Sequence, residues 1–216
     1  MSKKVAVVLS GCGVYDGAEI HESVLTLLAI HRQGASYQCY APDIDQAHVI
    51  NHMTGEETGE TRNVLTEASR IARGEIKPLS ELTANDADAL VFPGGFGAAK
   101  NLSTFAFDGA DCTVNKDVER VVKEFVAAKK PIGALCISPA VMAKILGSGT
   151  MTIGQNQDVA KAIEAMGCTH QTTDHGEIVY DAAHKLVTTP CYMLEANIGQ
   201  IADGAEATIK KVLELA

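Results

Sequence analysis

The sequence has no excess of positive charge. Its 18 Lys and Arg residues stand against 27 Asp and Glu, a formal net charge of −9. An acidic surface repels phosphate backbones and anionic headgroups, so neither nucleic acid nor membrane is expected as a partner. No apolar run approaches the roughly 18 residues that a membrane-spanning helix needs. The opening MSKKVAVVLSGCG has a signal-like look, but its apolar core from Val5 to Leu9 is short and no small-residue cleavage site follows. It reads as a first strand. There is no C-x-x-C pair: Cys12, Cys39, Cys112, Cys136, Cys168 and Cys191 are scattered along the chain. That pattern suggests reduced thiols in a cytosol-like compartment, hence a cytoplasmic location. Metal-ligand spacing is missing as well, and no metal or organic cofactor is expected. Neither SGCGVYDG nor PGGFGAAK has the G-x-G-x-x-G spacing, which excludes a Rossmann dinucleotide site. Repeats and low-complexity linkers are absent.

What is present is the balance of an ordinary soluble globule, 46% hydrophobic and 21% charged. The 216 residues suit one domain with a sizeable core. Apolar runs alternate with helical periods. KVAVVL (4–9) is β-branched without alternation, as in a strand buried on both faces. Residues 18–34 carry Ile20, Val24, Leu27 and Leu28 at helical spacing, and Gly34 is a stop. Strands are predicted at 35–42, 86–95 and 131–135, with shorter ones at 150–154, 168–172, 177–181 and 185–190. Helices are predicted at 115–130, 137–146 and 194–216. The alternation implies βαβ units: an α/β sandwich with a mostly parallel sheet and helices on both faces. Residues 43–80 break the rhythm. They are expected to form an insertion over the sheet's edge or mouth, with a helix at 60–73.

The run KKPIGALCISPAVMAKIL (129–146) places Cys136 between a buried strand and a helix. A residue at such a tight corner is pushed towards the crevice, the logic of a nucleophile elbow. The helix that follows aims free N–H groups and its positive dipole end at the sulfur, which favours the reactive thiolate. Pro139 sits in the first turn, where its missing N–H costs little. A second element is VFPGGFGAAKNL (91–102). Its Gly94–Gly95 pair lets the backbone turn sharply and expose amides, and the N–H groups of Gly95 and Ile137 are the candidate oxyanion hole. Lys100 and Asn101 follow and are candidates for an anionic substrate group. A third element, GAEIHES, puts Glu19 and Glu22 in the first turns of a helix. Either carboxyl pairs with the helix dipole or, with a pKa raised by burial, acts as an acid or base. His175 is the histidine to test first. His48 and His52 are close enough to cover the crevice mouth, residues 105–113 are candidates to fold over it, and Cys12 in the first loop is a candidate to face it.

In order and context, SGCGVYDGAEIHE, INHMTGE, TRNVLTEASRIARGEI, PGGFGAAKNL and CISPA resemble the DJ-1/PfpI superfamily, a branch of the class I glutamine amidotransferase-like fold. The match is to the subgroup of ES1 and enhancing-lycopene-biosynthesis (ElbB-like) proteins. The resemblance implies a flavodoxin-like three-layer sandwich. It implies that Cys136 is the reactive thiol, that Glu22 is the carboxylic acid hydrogen-bonded to it, and that Gly95 and Ile137 line an oxyanion site. Members include glutathione-independent glyoxalases, reported deglycases, chaperones and proteases, and the superfamily is commonly dimeric. The expectation is therefore a cofactor-free, cysteine-dependent glyoxalase that converts small aldehydes such as glyoxal to 2-hydroxy acids, as a homodimer. Two alternatives stand beside it. One is a redox-sensing or partner-binding protein, since a low-pKa thiol beside a carboxyl is open to oxidation. The other is an amidotransferase-like hydrolase with a degenerate triad. Many relatives carry a His directly after the elbow Cys, where this chain has Ile137. The late segment VTTPCYM (187–193) carries no His, and His175-Gly176-Glu177 comes early for a triad.

Overall fold

The computed structural model describes residues 2–216. The main sheet has seven strands in the order β3-β2-β1-β4-β5-β9-β8. These are β1 (Lys4–Val8), β2 (Ser36–Ala41), β3 (Ile76–Pro78), β4 (Ala89–Phe92), β5 (Ile132–Leu135), β8 (Val179–Asp181) and β9 (Leu186–Thr189). All neighbours are parallel except the edge pair β8–β9. Two short strands, β6 (Thr150–Met151) and β7 (Thr169–His170), form a separate parallel pair. The helices are α1 (Ile20–Arg32), α2 (Val64–Ile71), α3 (Phe96–Lys100), α4 (Phe105–Asp108), α5 (Lys116–Ala127), α6 (Ser138–Leu146), α7 (Gln157–Ala165) and α8 (Ile198–Leu215).

The layering follows from the strand sequences. Successive side chains leave a strand on opposite faces. In β1, Val5 and Val7 join one buried cluster with Leu27 and Ile30 of α1, Ala68 of α2 and Ile209 of α8. Ala6 and Val8 join the other, with Phe125 of α5 and Met142 of α6. A strand buried on both faces has no use for polar alternation, which is why the run was legible. The result is a flavodoxin-like three-layer α/β sandwich. The carboxyl ends of the parallel strands β1, β4, β5 and β9 meet at one rim, where such sheets place their ligand sites.

Three details depart from expectation. Part of segment 43–80 is integral to the sheet: α2 is the crossover helix and β3 pairs with β2. A three-residue strand is too short to show a period. Second, α3, α4 and α7 were unmarked in the sequence. α3 and α4 span 5 and 4 residues, and α7 is capped by Asn156, whose side chain accepts the Asp158 and Val159 amides. Third, α1 does not bury its apolar stripe. Ile20, Val24 and Leu28 are exposed, whereas Glu22, Ser23 and Thr26 are buried beside Leu27 and Ile30. Its inner face mixes polar and apolar side chains, and the helix packs along α8.

Phe125 is fully buried on α5. Phe125→Ala is expected to cost about 3–5 kcal/mol, read as a lower urea midpoint with an unchanged slope.

Candidate active site

At the tip of β5 the chain turns into α6 through Cys136, which adopts a left-handed φ of 60°. For a non-glycine residue this conformation costs on the order of 1–3 kcal/mol and persists only where neighbours impose it. Here they do. The Cys136 amide donates to the Thr189 carbonyl of β9 at 3.0 Å, and the Ser138 hydroxyl donates to the Pro93 carbonyl beyond β4 at 2.7 Å. The elbow is thus clamped between the two adjacent strands. Pro139 lies in the first turn of α6, and no side chain caps that helix.

The amides of Gly95 and Ile137 lie beside the Cys136 sulfur and pull its pKa down. Gly95 has a φ of 99°, and a Cβ there would lie 2.4 Å from the Glu19 nitrogen and the Gly17 oxygen. Only glycine lets these two loops cross. Gly94 has a different task from the substrate contact expected of it. Its N–H donates to Glu22 Oε2 at 2.9 Å, so it is not free for an oxyanion. A Cβ at Gly94 would sit 2.3 Å from the Cys136 Cβ.

Glu22 is completely buried on α1 and faces the sulfur. Its carboxyl accepts the Gly94 amide and the Tyr192 amide at 3.2 Å, and the Cys136 thiol lies beside it. Desolvation, with the neighbouring charge of Glu19, pushes the Glu22 pKa up to about 8, against the pull of these three groups. The carboxyl is therefore largely protonated at neutral pH. For Cys136, burial and then the Glu22 charge push the thiol well above its ordinary range, while the Gly95 and Ile137 amides pull it down. The expected thiolate-favouring helix end is thus outweighed by desolvation. The resting pair holds its protons, and the sulfur becomes anionic only as its proton is passed on.

The sulfur opens into a cavity of about 420 Å³ lined by Gly95, Ile137 and, among others, Phe96, Phe105 and Tyr192. Residues 105–106 do fold over the crevice. Glu19 also lines it while accepting the Glu22 amide as the N-cap of α1. Tyr192, in the turn after β9, is a site residue the sequence reading missed. Its hydroxyl lies 2.8 Å from His21 Nδ1, at the exposed end of α1. The sequence separation of 171 residues left no local signal for this contact.

Several candidates lie elsewhere. Asn101 is buried and used up structurally: Nδ2 donates to the Ser10 and Asp16 carbonyls, and Oδ1 accepts the Ala47 amide. It ties the first loop to residues 43–63 and offers nothing to an anion. His175 does not line the cavity. It sits in a turn where the Asp174 amide donates to the Glu177 carboxylate at 2.7 Å, so the His-x-Glu motif closes a loop. Cys12 faces Glu67 and Arg70, not Cys136, and burial with the Glu67 charge raises its pKa. His48 stacks edge-on against Phe107, and His52 lies against Tyr15. Neither lines the cavity. Among the described residues, no group of three or more His, Cys, Asp or Glu side chains is placed to hold a metal ion, and no helix is long and apolar enough to cross a membrane.

No family model matches the chain. Known proteins do. The human glutamine amidotransferase-like class 1 domain-containing protein 3, mitochondrial, is 52% identical over 222 residues, covering 98% of this chain and 83% of that protein. The zebrafish (Danio rerio) ES1 protein, mitochondrial, is 37% identical over 230 residues, covering 98% and 85%. A crystal structure of an isoprenoid biosynthesis protein with amidotransferase-like domain from Ehrlichia chaffeensis superposes with a TM-score of 0.91 at 35% identity, covering 99% of this chain and all of that one. Drosophila melanogaster DJ-1beta shares the fold, with a TM-score of 0.54 at 18% identity over 100% of this chain and 96% of that one. The chain belongs to the ES1 family of glutamine amidotransferase-like class 1 proteins, within the DJ-1/PfpI fold group. The cytoplasmic assignment does not stand, because the human, rat and zebrafish relatives are all mitochondrial proteins. Cysteine pattern reports redox poise, not address.

Folding raises the Glu22 pKa from 4.5 to about 8, so its contribution to stability is fully present below about pH 4.5 and is lost as pH rises through 8. Denaturant unfolding at pH 5 and pH 8.5 is expected to show a larger loss for the wild type than for Glu22→Gln, which cannot titrate. The Gln variant is itself less stable at pH 5 by about 1–3 kcal/mol, because one backbone amide loses its acceptor.

Proposed function

We propose that this protein is a cysteine-dependent glyoxalase that converts 2-oxoaldehydes such as glyoxal to 2-hydroxy acids without a cofactor. The single observation that carries this reading is the buried Cys136–Glu22 contact beneath two amides aimed at the sulfur. The Cys136 sulfur attacks the aldehyde carbon, a C–S bond forms, and the carbonyl electron pair moves onto oxygen. The Gly95 and Ile137 amides hold that oxyanion, and it takes up a proton from Glu22 as the thiol proton passes to the carboxyl. Glu22 then takes the C–H proton as its own proton passes to the neighbouring carbonyl oxygen, giving an enediol, and it returns a proton to the neighbouring carbon as the hydroxyl proton on the sulfur-bearing carbon passes back to it, giving a thioester. Water then cleaves the C–S bond, releasing the 2-hydroxy acid and the thiol. One carbon is oxidised and its neighbour reduced, so only water is consumed. Deglycation is a variant of the same reading, because free dicarbonyl feeds such assays.

An amide-transfer reading needs a His at the sulfur, and His21 meets the cavity only through Tyr192. A redox-sensing reading rests on a low-pKa thiol, whereas burial raises that of Cys136; it predicts oxidation at low peroxide without turnover.

Purified reduced protein with glyoxal, followed by proton NMR, is expected to give glycolate with the wild type and none with Cys136→Ala. Glu22→Gln is expected to lose at least about a hundredfold, the scale of positioned proton transfer. Wild type matching the buffer blank overturns the glyoxalase reading.

The reading includes a homodimer, supported by the exposed α1 stripe of Ile20, Val24 and Leu28. Light scattering is expected to give twice the 22.8 kDa chain mass for the wild type, and the monomer mass for Val24→Glu.

A further inference from the structure

A two-carbon dicarbonyl is small for the space above Cys136. The cavity measures about 420 Å³, whereas a water's share of liquid is about 30 Å³. Glyoxal would leave most of this volume to water held against apolar walls. Those walls come from separate elements: Val14 of the first loop, Phe96 of α3, Phe105 of α4, Val159 of α7 and Met193 after β9. Walls drawn from five elements make a formed cavity. Drug-sized ligands occupy pockets of this scale, lined mainly by apolar side chains with a few polar groups.

The charge is one-sided too. Among the lining residues there is no Lys, Arg or His, and the ionisable groups besides Cys136 are Glu19 and Tyr192. The nearby cation, Lys100, has its ammonium engaged by the Tyr15 carbonyl at 3.0 Å and set 5.4 Å over the Phe96 ring. The molecule as a whole carries −9. An anionic group entering this cavity would lose its hydration, meet a carboxylate and find no cation.

We propose that the Cys136 cavity selects carbonyl compounds carrying an uncharged apolar body, aromatic or branched alkyl, and excludes those bearing carboxylate or phosphate. The proposal deepens the glyoxalase reading and rests on Cys136 as its nucleophile. The apolar body lies among Phe96, Phe105 and Val159, and its carbonyl carbon faces the sulfur below.

Alkylation of Cys136 tests this without turnover. Iodoacetamide, N-benzyliodoacetamide and iodoacetate each react by the same displacement: the sulfur forms a C–S bond, iodide leaves, and the thiol proton goes to water. Rates at Cys136 are read by peptide mass spectrometry and divided by the rates with N-acetylcysteine. The benzyl reagent is expected to be at least about tenfold faster than iodoacetamide, and iodoacetate at least about tenfold slower, the discrimination a hydrophobic pocket achieves. Val159→Lys is expected to restore the iodoacetate rate, and Phe105→Ala to shrink the benzyl-to-acetamide ratio. Equal normalised rates for the three reagents, or iodoacetate as the fastest, would overturn the selectivity while leaving the nucleophile in place. Cys136 unlabelled by all three in the folded protein would instead overturn the nucleophile reading and this proposal with it. Turnover of phenylglyoxal against glyoxal, expected to favour phenylglyoxal in kcat/KM, reports on the substrate directly.

Discussion

The buried contact between the Cys136 thiol and the Glu22 carboxyl sets the terms for the chain around it. A carboxyl with no access to water needs partners on both oxygens, and it has them in the Gly94 and Tyr192 amides. These come from the loops after β4 and β9, so one side chain on α1 ties together the tips of two strands. The sulfur sits at the tip of the strand between them, in a left-handed conformation that those tips impose. Gly94 is glycine because any side chain would occupy the place of the Cys136 Cβ. The geometry at the rim follows from this one desolvated pair.

The same constraint explains the reversed appearance of α1. A helix that must deliver a carboxyl to a buried sulfur turns its polar residues inward, so Glu22, Ser23 and Thr26 are enclosed. Three of its apolar residues, Ile20, Val24 and Leu28, are left outside, while Leu27 and Ile30 stay buried. The site also shapes electrostatics. Burial raises both members of the pair, so Glu22 takes the sulfur's proton only as it passes its own on. That is a suitable condition for moving a proton within a site and a poor one for a standing thiolate.

Local chemistry in the sequence was enough to mark several elements. The β-branched run of β1, the glycine pair after β4 and the Pro139 turn after Cys136 are short-range signals, and each lies where the structure has a strand, a sharp loop or an elbow. Signals that depend on distant partners were silent or misleading. Asn101 looked like a loop residue free for substrate, yet three carbonyl and amide partners from residues 10, 16 and 47 use its side chain. His175 was the histidine to test first, yet it lies outside the cavity, in a turn closed by the Asp174 amide on the Glu177 carboxylate. Tyr192 carried no local mark, and α1 carried a misleading one.

By itself the sequence determined the alternation of strand and helix, the elbow position of Cys136 and the acidic balance of the chain. Periodicity, turn chemistry and net charge are properties of neighbours along the chain, so they are readable without coordinates. Tertiary structure decided which carboxyl meets the sulfur, which amides face it, what lines the cavity and which face of α1 is buried. Each of those depends on residues far apart in sequence converging at the strand tips. There desolvation, a force with no sequence-local signature, outweighs the helix end and sets the protonation of the pair.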